Sequence, residues 1–349
     1  MKLNCLVACA MLLVASAAAQ TPTQPPIIHS RDVTAECTKL LANLPQPPAE
    51  STDSFNPDCD SAAFYFGIGR PKDFVAARKC AYAERSHTSN VDSNPFAGPG
   101  VLSMLYANGE GTPRNVELAQ RFTCESGWAA PAELAIRLDE LAKIQTSPNP
   151  IHFDLCDTAT SGLSQGWCAS IDSRLQQVHR TEAIHTFSDK LAPDALPAFR
   201  KLHSAEDAFD QARSSNEVDL SGTGRAAFEF EEQDKLRDQF LINLKRFSAP
   251  HVDSPVPLPT ADRQLNETYQ LLRSSLPATD QQAQSFTSPD GTISFEGVQK
   301  TQRTWLDLRS AWTNFAKVSH TTATPDQIAA ILTMQRLHQL RSLLPPSTQ

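Results

Sequence analysis

Toward its C-terminal end the chain repeats apolar residues at helical spacing. Leu265, Tyr269, Leu272 and Leu276 fall at steps of four, three and four; Val298, Trp305, Leu308, Trp312 and Phe315 follow at steps of seven, three, four and three, with charged residues between them. Each set places one apolar stripe on a helix whose other faces are polar. Leu236, Phe240, Leu244 and Phe247 make a third stripe in AFEFEEQDKLRDQFLINLKRF (227–247), and Leu134, Leu138 and Leu141 a fourth in PAELAIRLDELAKI (131–144). DAFDQARSS (207–215) reads as helix, NEVDLSGTG (216–224) as a turn, and Thr324-Pro325 as the start of a last helix running to about Leu344. The pattern predicts an all-α protein: helical-hairpin repeats followed by a bundle of antiparallel helices.

Further forward the pattern repeats on a larger scale. FYFGIGRPKDFVAA (64–77) aligns with YANGEGTPRNVELA (106–119), matching Phe64 to Tyr106, Gly67 to Gly109, Gly69 to Gly111, Pro71 to Pro113, Asp73 to Asn115 and Ala77 to Ala119. An aromatic closes the first helix and glycines take the unusual angles of the turn. Pro with Asp or Asn then starts and caps the second helix, and alanine lets the two helices approach. This unit resembles the Sel-one-like repeat, a relative of the tetratricopeptide repeat, with its excess length in 86–98. That resemblance implies a scaffold or adaptor that binds protein partners. Two units are fewer than a free-standing solenoid needs, so the block requires staples or a neighbour to pack on.

The rear half carries a weaker echo. Phe209 and Arg213-Ser214-Ser215 match Tyr269 and Arg273-Ser274-Ser275, and Gly222-Thr223 matches Gly291-Thr292, which suggests a duplicated helical unit. HVDSPVPLP (251–259) is a Pro-rich linker, because Pro blocks helix continuation. The expected order is a signal peptide (1–19), a Pro-rich leader (20–50) with a short helix around Cys37–Leu44, repeats (51–146), a helical domain (147–250) and a second helical domain (255–345).

Lys2, the apolar run from Leu6 to Val14 and Ala17-Ala18-Ala19 predict a secretory signal cut after Ala19, and hence a periplasmic or extracellular protein. Leu6-Val7-Ala8-Cys9 has the form of a lipoprotein box but comes before enough hydrophobic chain. No later run is long enough to span a membrane. Cys5 and Cys9 leave with the signal, so Cys37, Cys59, Cys80, Cys124, Cys156 and Cys168 remain, an even set that predicts disulfides in an exported chain. No close Cys-x-x-Cys or Cys/His pair supports a metal site instead. Cys59 and Cys80 fall on paired helices of the first repeat, Cys156 and Cys168 flank a short loop, and Cys37 is left for Cys124 by elimination.

Catalytic patterns are weak throughout. H-E-x-x-H, G-x-S-x-G, Walker and dinucleotide signatures are all missing. DLSGTGR (219–225) lacks the P-loop lysine. In SPDGTISFEG (288–297), counting Asp290 as the fifth position puts Phe286 and Gly297 where a calcium loop needs carboxylates. His179 and His185 are badly spaced for one helical face. Glu229, Glu231, Glu232 and Asp234 read as a solvated face rather than as the paired carboxyls of a glycosidase. The expectation is a non-catalytic protein with no cofactor and no metal; an unrecognised envelope hydrolase is the minor alternative. A formal net charge of −8 argues against nucleic acid or anionic membrane as partner.

One pair of motifs is more specific. AD-x-x-LN-x-x-Y (Asp262, Leu265, Asn266, Tyr269) followed by QR-x-WL-x-x-R-x-A (Arg303, Trp305, Arg309) resembles the helical domain of the LprI-like lysozyme-inhibitor family, over about 255–320. The resemblance implies binding to a lysozyme-type hydrolase by occupying its substrate cleft, and an acidic chain suits the basic character of such enzymes. Family members commonly carry cysteines around these motifs, whereas this chain has none after Cys168. Asp262, Asn266, Arg303 and Arg309 are candidate contact residues. Each also has a structural role open to it: Asp262 as a helix cap, Arg309 as the partner of a carboxylate on a neighbouring helix. Trp305 and Tyr269 suit an interhelical core.

Overall fold

The computed structural model describes residues 31–44, 59–86, 94–126, 129–254, 256–283, 291–319 and 321–344. Among them are thirteen α-helices and no strand. The expected signal peptide and most of the 86–98 loop lie outside the described residues. Arg31 and Asp32 carry no regular structure, and all the helices belong to one compact unit, Val33–Gln349.

The front of that unit holds α1 (Val33–Asn43), α2 (Ser61–Phe66), α3 (Phe74–Ser86), α4 (Pro99–Asn108), α5 (Val116–Glu125) and α6 (Pro131–Thr146). The matched positions of the internal repeat take matched roles. Gly67 and Gly109 end α2 and α4 at φ of +81° and +73°. Asp73 accepts a hydrogen bond from the Ala76 amide at 2.9 Å, and Asn115 one from the Leu118 amide at 3.0 Å, capping α3 and α5. The same two residues close the hairpins through their own amides, which donate to the Phe64 and Tyr106 carbonyls at 3.0 and 2.9 Å. Ala77 and Ala119 are wholly buried. Gly111 has a second duty: a Cβ there would lie 2.6 Å from the Phe74 carbonyl carbon, so its lack of a side chain lets the second turn rest on the first hairpin.

Two disulfides staple this block, Cys37–Cys124 and Cys59–Cys80, and a third, Cys156–Cys168, fastens the segment that follows it to the next helix; their Cα separations are 5.3, 5.7 and 5.7 Å. Cys59 sits just ahead of α2 rather than within it, because Asp60 caps that helix by accepting from the Ala63 amide at 2.8 Å. The first bridge ties α1 to α5.

Behind it come α7 (Gly162–Ser188), α8 (Leu196–Asn216), α9 (Arg225–Phe247), α10 (Leu258–Ser275), the short α11 (Asp280–Ala283), α12 (Phe295–Ser319) and α13 (Pro325–Arg341). With 27 residues, α7 is about 40 Å long. It adds Trp167, Ile171 and Leu175 to the front core and Ile184 and Phe187 to the rear one. α8 packs antiparallel on both α9 and α12, while α13 packs on α10 and α12. α7 and α9 run parallel, since Gly162 meets Thr223, Ser173 bonds Asp234 and Arg180 bonds Asp238 in ascending order.

The apolar stripes face inward as expected. Leu236, Phe240, Leu244 and Phe247 are buried, as are Val298, Trp305, Leu308, Trp312 and Phe315; Tyr269 is half-buried. The final helix begins with a capping box, Thr324 Oγ1 accepting from the Gln327 amide at 3.2 Å and Gln327 Oε1 from the Thr324 amide at 2.9 Å. Within the echoed segments environments differ: Arg213 is buried and Arg273 exposed. Gly222 and Gly291 both have positive φ, and their turns meet, the Leu220 amide donating to Thr292 Oγ1 at 2.7 Å.

Candidate protein-interaction surface

α10 and α12 run antiparallel, both packed on α13, and long side chains of the two signature motifs reach across the side-chain seam between them. Ala261 and Leu265 from α10, with Trp305 and Leu308 from α12, form its buried floor. Helical periodicity therefore lifts the remaining motif residues to the rim or beyond it: Asp262, Tyr269 and Arg309 are half-buried, while Asn266, Arg303 and Leu306 are exposed.

Two rim residues, Asp262 and Arg309, act together. Arg309 pairs with Asp262 at 2.6 Å, donates from the same nitrogen to Thr333 Oγ1 of α13 at 3.0 Å, and lays its guanidinium 4.8 Å from the centre of the Trp305 ring. The expected pairing of Arg309 with a carboxylate on a neighbouring helix is thus present. Asp262 is not a cap. Pro257 and Pro259 start α10 earlier, which leaves the Asp262 carboxylate a turn inside the helix and free to reach Arg309. Tyr269 packs its ring 5.1 Å from that of Phe295. Burial pushes its hydroxyl pKa up, against the opposing fields of Arg303, Arg336 and Arg273.

The Asp262–Arg309 pair is partly exposed, 39% and 23% by side chain, so solvent screens it. Asp262→Ala is expected to cost less than about 1 kcal/mol. Arg309→Ala also removes the Thr333 bond and the stacking on Trp305, and is expected to cost about 1–2 kcal/mol. Thermal denaturation of the two variants checks the order; equal losses would mean the ring contact contributes nothing.

Beneath the seam lies a polar core that the motifs do not announce. Glu217, at the end of α8, is completely buried and sits between two arginines. Arg336 donates to its two oxygens at 2.7 and 2.5 Å, and Arg213 donates to one of them at 2.7 Å. Arg213 then reaches Glu232 of α9 at 2.6 Å, and Arg336 reaches Gln302 of α12 at 3.0 Å. One signal for it exists in the sequence: Arg336 occupies a buried stripe with Ile328, Leu332 and Leu340, where an apolar residue is expected.

Among the described residues no group of three or more His, Cys, Asp or Glu is arranged to hold a metal ion, and no helix is long and apolar enough to cross a membrane. The acidic run is partly engaged in structure, since Glu232 pairs with Arg213 and Asp234 with Arg180.

The geometry defines an all-helical, disulfide-stapled protein whose C-terminal helices carry a polar rim over an apolar floor. Residues 258–343 match the family model described as Lysozyme inhibitor LprI, which spans α10 to α13. No curated protein and no solved structure matches the chain.

Proposed function

We propose that this is an exported, non-catalytic protein that binds and inhibits a lysozyme-type hydrolase by occluding its cleft, and that the α10–α12 seam makes the contact. The observation that supports this reading most is the coincidence of the matched segment with a surface whose floor is already satisfied. Trp305 and Leu265 are consumed by the core and Asp262 and Arg309 by each other, which leaves Asn266, Arg303 and Leu306 displayed with no structural duty that the fold requires of them. Leu306 is 44% exposed, and an apolar residue among polar neighbours suits the centre of a contact patch.

The test is turbidity of a peptidoglycan suspension with the purified protein, with and without hen-type lysozyme. Protection is the expected result, and the triple variant Asn266→Ala, Arg303→Glu, Leu306→Asp is expected to weaken it by at least about tenfold at an unchanged melting temperature. Absence of both protection and measurable binding across several lysozyme classes would sink the idea. Clearing by the protein alone would make it a hydrolase.

A second reading rests on the front block. Its two hairpins repeat turn, cap and closing bond, the construction of a protein-binding array, and an envelope scaffold or adaptor would use that surface. Stable capture of a partner by residues 31–146 of the intact protein, with no protection of peptidoglycan, is the result expected of that role.

A further inference from the structure

A cleft opens where α7 and α9 begin, well away from the α10–α12 seam. The two parallel helices touch there because Gly162 and Gly166 have no side chains: a Cβ on Gly162 would lie 2.0 Å from the Thr223 carbonyl oxygen, and one on Gly166 2.8 Å from the Ala226 Cβ. Beside this contact is a space of about 660 Å³, a size typical of small-molecule sites. Its wall is mostly apolar, with Leu163, Trp167, Ala226 and Phe230 facing it. Leu163 is 44% exposed, and Trp167 and Phe230 are only half-buried, so a large apolar surface is left wet.

The charge around the cleft is one-sided. Arg225 lines it, and no carboxylate is among the residues that do. Among the described residues Arg225 makes one weak polar contact, 3.5 Å to the Gly222 carbonyl oxygen, and no ion pair. The start of α7 already has its anion: Glu133 accepts from the Thr160 and Ser161 amides at 3.2 and 2.9 Å. The start of α9 has none, because Gly224 offers no side chain to cap it. The positive end of that helix and the Arg225 guanidinium therefore stand together at the rim of an apolar cleft, with no carboxylate among the described residues paired to either.

We infer that this cleft binds a small amphipathic anion, its apolar body against Trp167 and Phe230 and its carboxylate, or an equivalent acidic group, at Arg225. A neutral apolar ligand would leave the guanidinium unused, and a cationic one would be repelled by it. Both the fit and the sign of charge follow from the same few residues, independently of any inhibitory role.

Calorimetric titration of the purified protein with decanoate and with decyltrimethylammonium, each below its micelle concentration, tests the inference. Decanoate is expected to bind saturably at one site, at least about tenfold more tightly than the cation. Arg225→Glu changes an exposed side chain and is expected to reverse that order. Ser170→Phe fills the cleft and is expected to weaken decanoate binding about tenfold with an unchanged circular dichroism spectrum. Equal affinity for the two amphiphiles, a preference that survives Arg225→Glu, or no saturation by about 1 mM decanoate would each overturn it.

Discussion

Glu217→Leu is expected to lower the folding free energy by about 3–5 kcal/mol. The loss comes less from the contacts removed than from what is left behind. Arg336 is completely buried and, once the carboxylate is gone, keeps Gln302 as a hydrogen-bond partner and the Phe209 ring 5.6 Å from its guanidinium, but no negative charge among the described residues. A guanidinium does not shed its proton under any condition in which the protein folds, so the charge remains in a desolvated place. Arg213 is better off, because Glu232 still holds it. The double variant Glu217→Leu, Arg336→Met removes both charges and is expected to recover most of the loss, since a buried ion pair is often no more stabilising than apolar residues of similar volume. Urea denaturation followed by circular dichroism measures the set. If the double variant is no more stable than Glu217→Leu alone, the stranded arginine is not the source of the cost. The same substitution also bears on assembly: Glu217 ends α8, Gln302 lies on α12 and Arg336 on α13, so the network sets how three helices meet beneath the proposed contact surface.

Much of this arrangement is local and was legible for that reason. An apolar stripe at steps of three and four needs only one helix to make sense, so Trp305, Leu308, Trp312 and Phe315 could be placed in a core before any partner was known. The hairpin turn is legible because Gly67, Asp73 and their counterparts Gly109 and Asn115 act within a few residues of themselves. Pairing across the chain is different. Glu217 and Arg336 are 119 residues apart, and Glu217 reads as part of a turn, NEVDLSGTG, where a solvated carboxylate is the ordinary expectation. Gly162 and Gly166 look like defects in a helix until α9 lies against them. Asp262 shows the limit within a single helix: whether it caps α10 or pairs across the seam depends on where the helix starts, and the prolines move that start by more than a turn's worth of chemistry. For the candidate surface, periodicity separated floor from rim, but it does not say which exposed rim residues a partner would touch.

The C-terminal bundle is also expected to lose stability as pH rises from about 4 to about 7, the reverse of ordinary acid denaturation. Glu206 and Asp210 lie one turn apart on α8, both buried, and neither Asp210 oxygen has a hydrogen-bond partner among the described residues. Burial pushes Glu206 well above the usual carboxylate range, with the Asp210 charge adding to it. Burial raises Asp210 to about 7; Arg237 opposes the shift, while Asp207 and Glu232 support it. The sign follows directly. Below the unfolded-state pKa both folded and unfolded chains hold the proton, and the group contributes nothing. As pH rises, the unfolded chain ionises first while the folded one keeps its proton, so stability falls until the folded group ionises near 7. One carboxyl shifted in this way contributes a loss on the order of 4 kcal/mol, and Glu206 extends the decline to higher pH. Asp210→Asn has nearly the same shape and no titration. It is expected to exceed the native protein in stability at about pH 8 and to show a much flatter profile, read by urea denaturation at about pH 4.5, 6 and 7.5. A native profile that stays level or climbs through this range would show that the buried pair is not strained, and an unchanged slope in Asp210→Asn would assign the pH dependence to other groups.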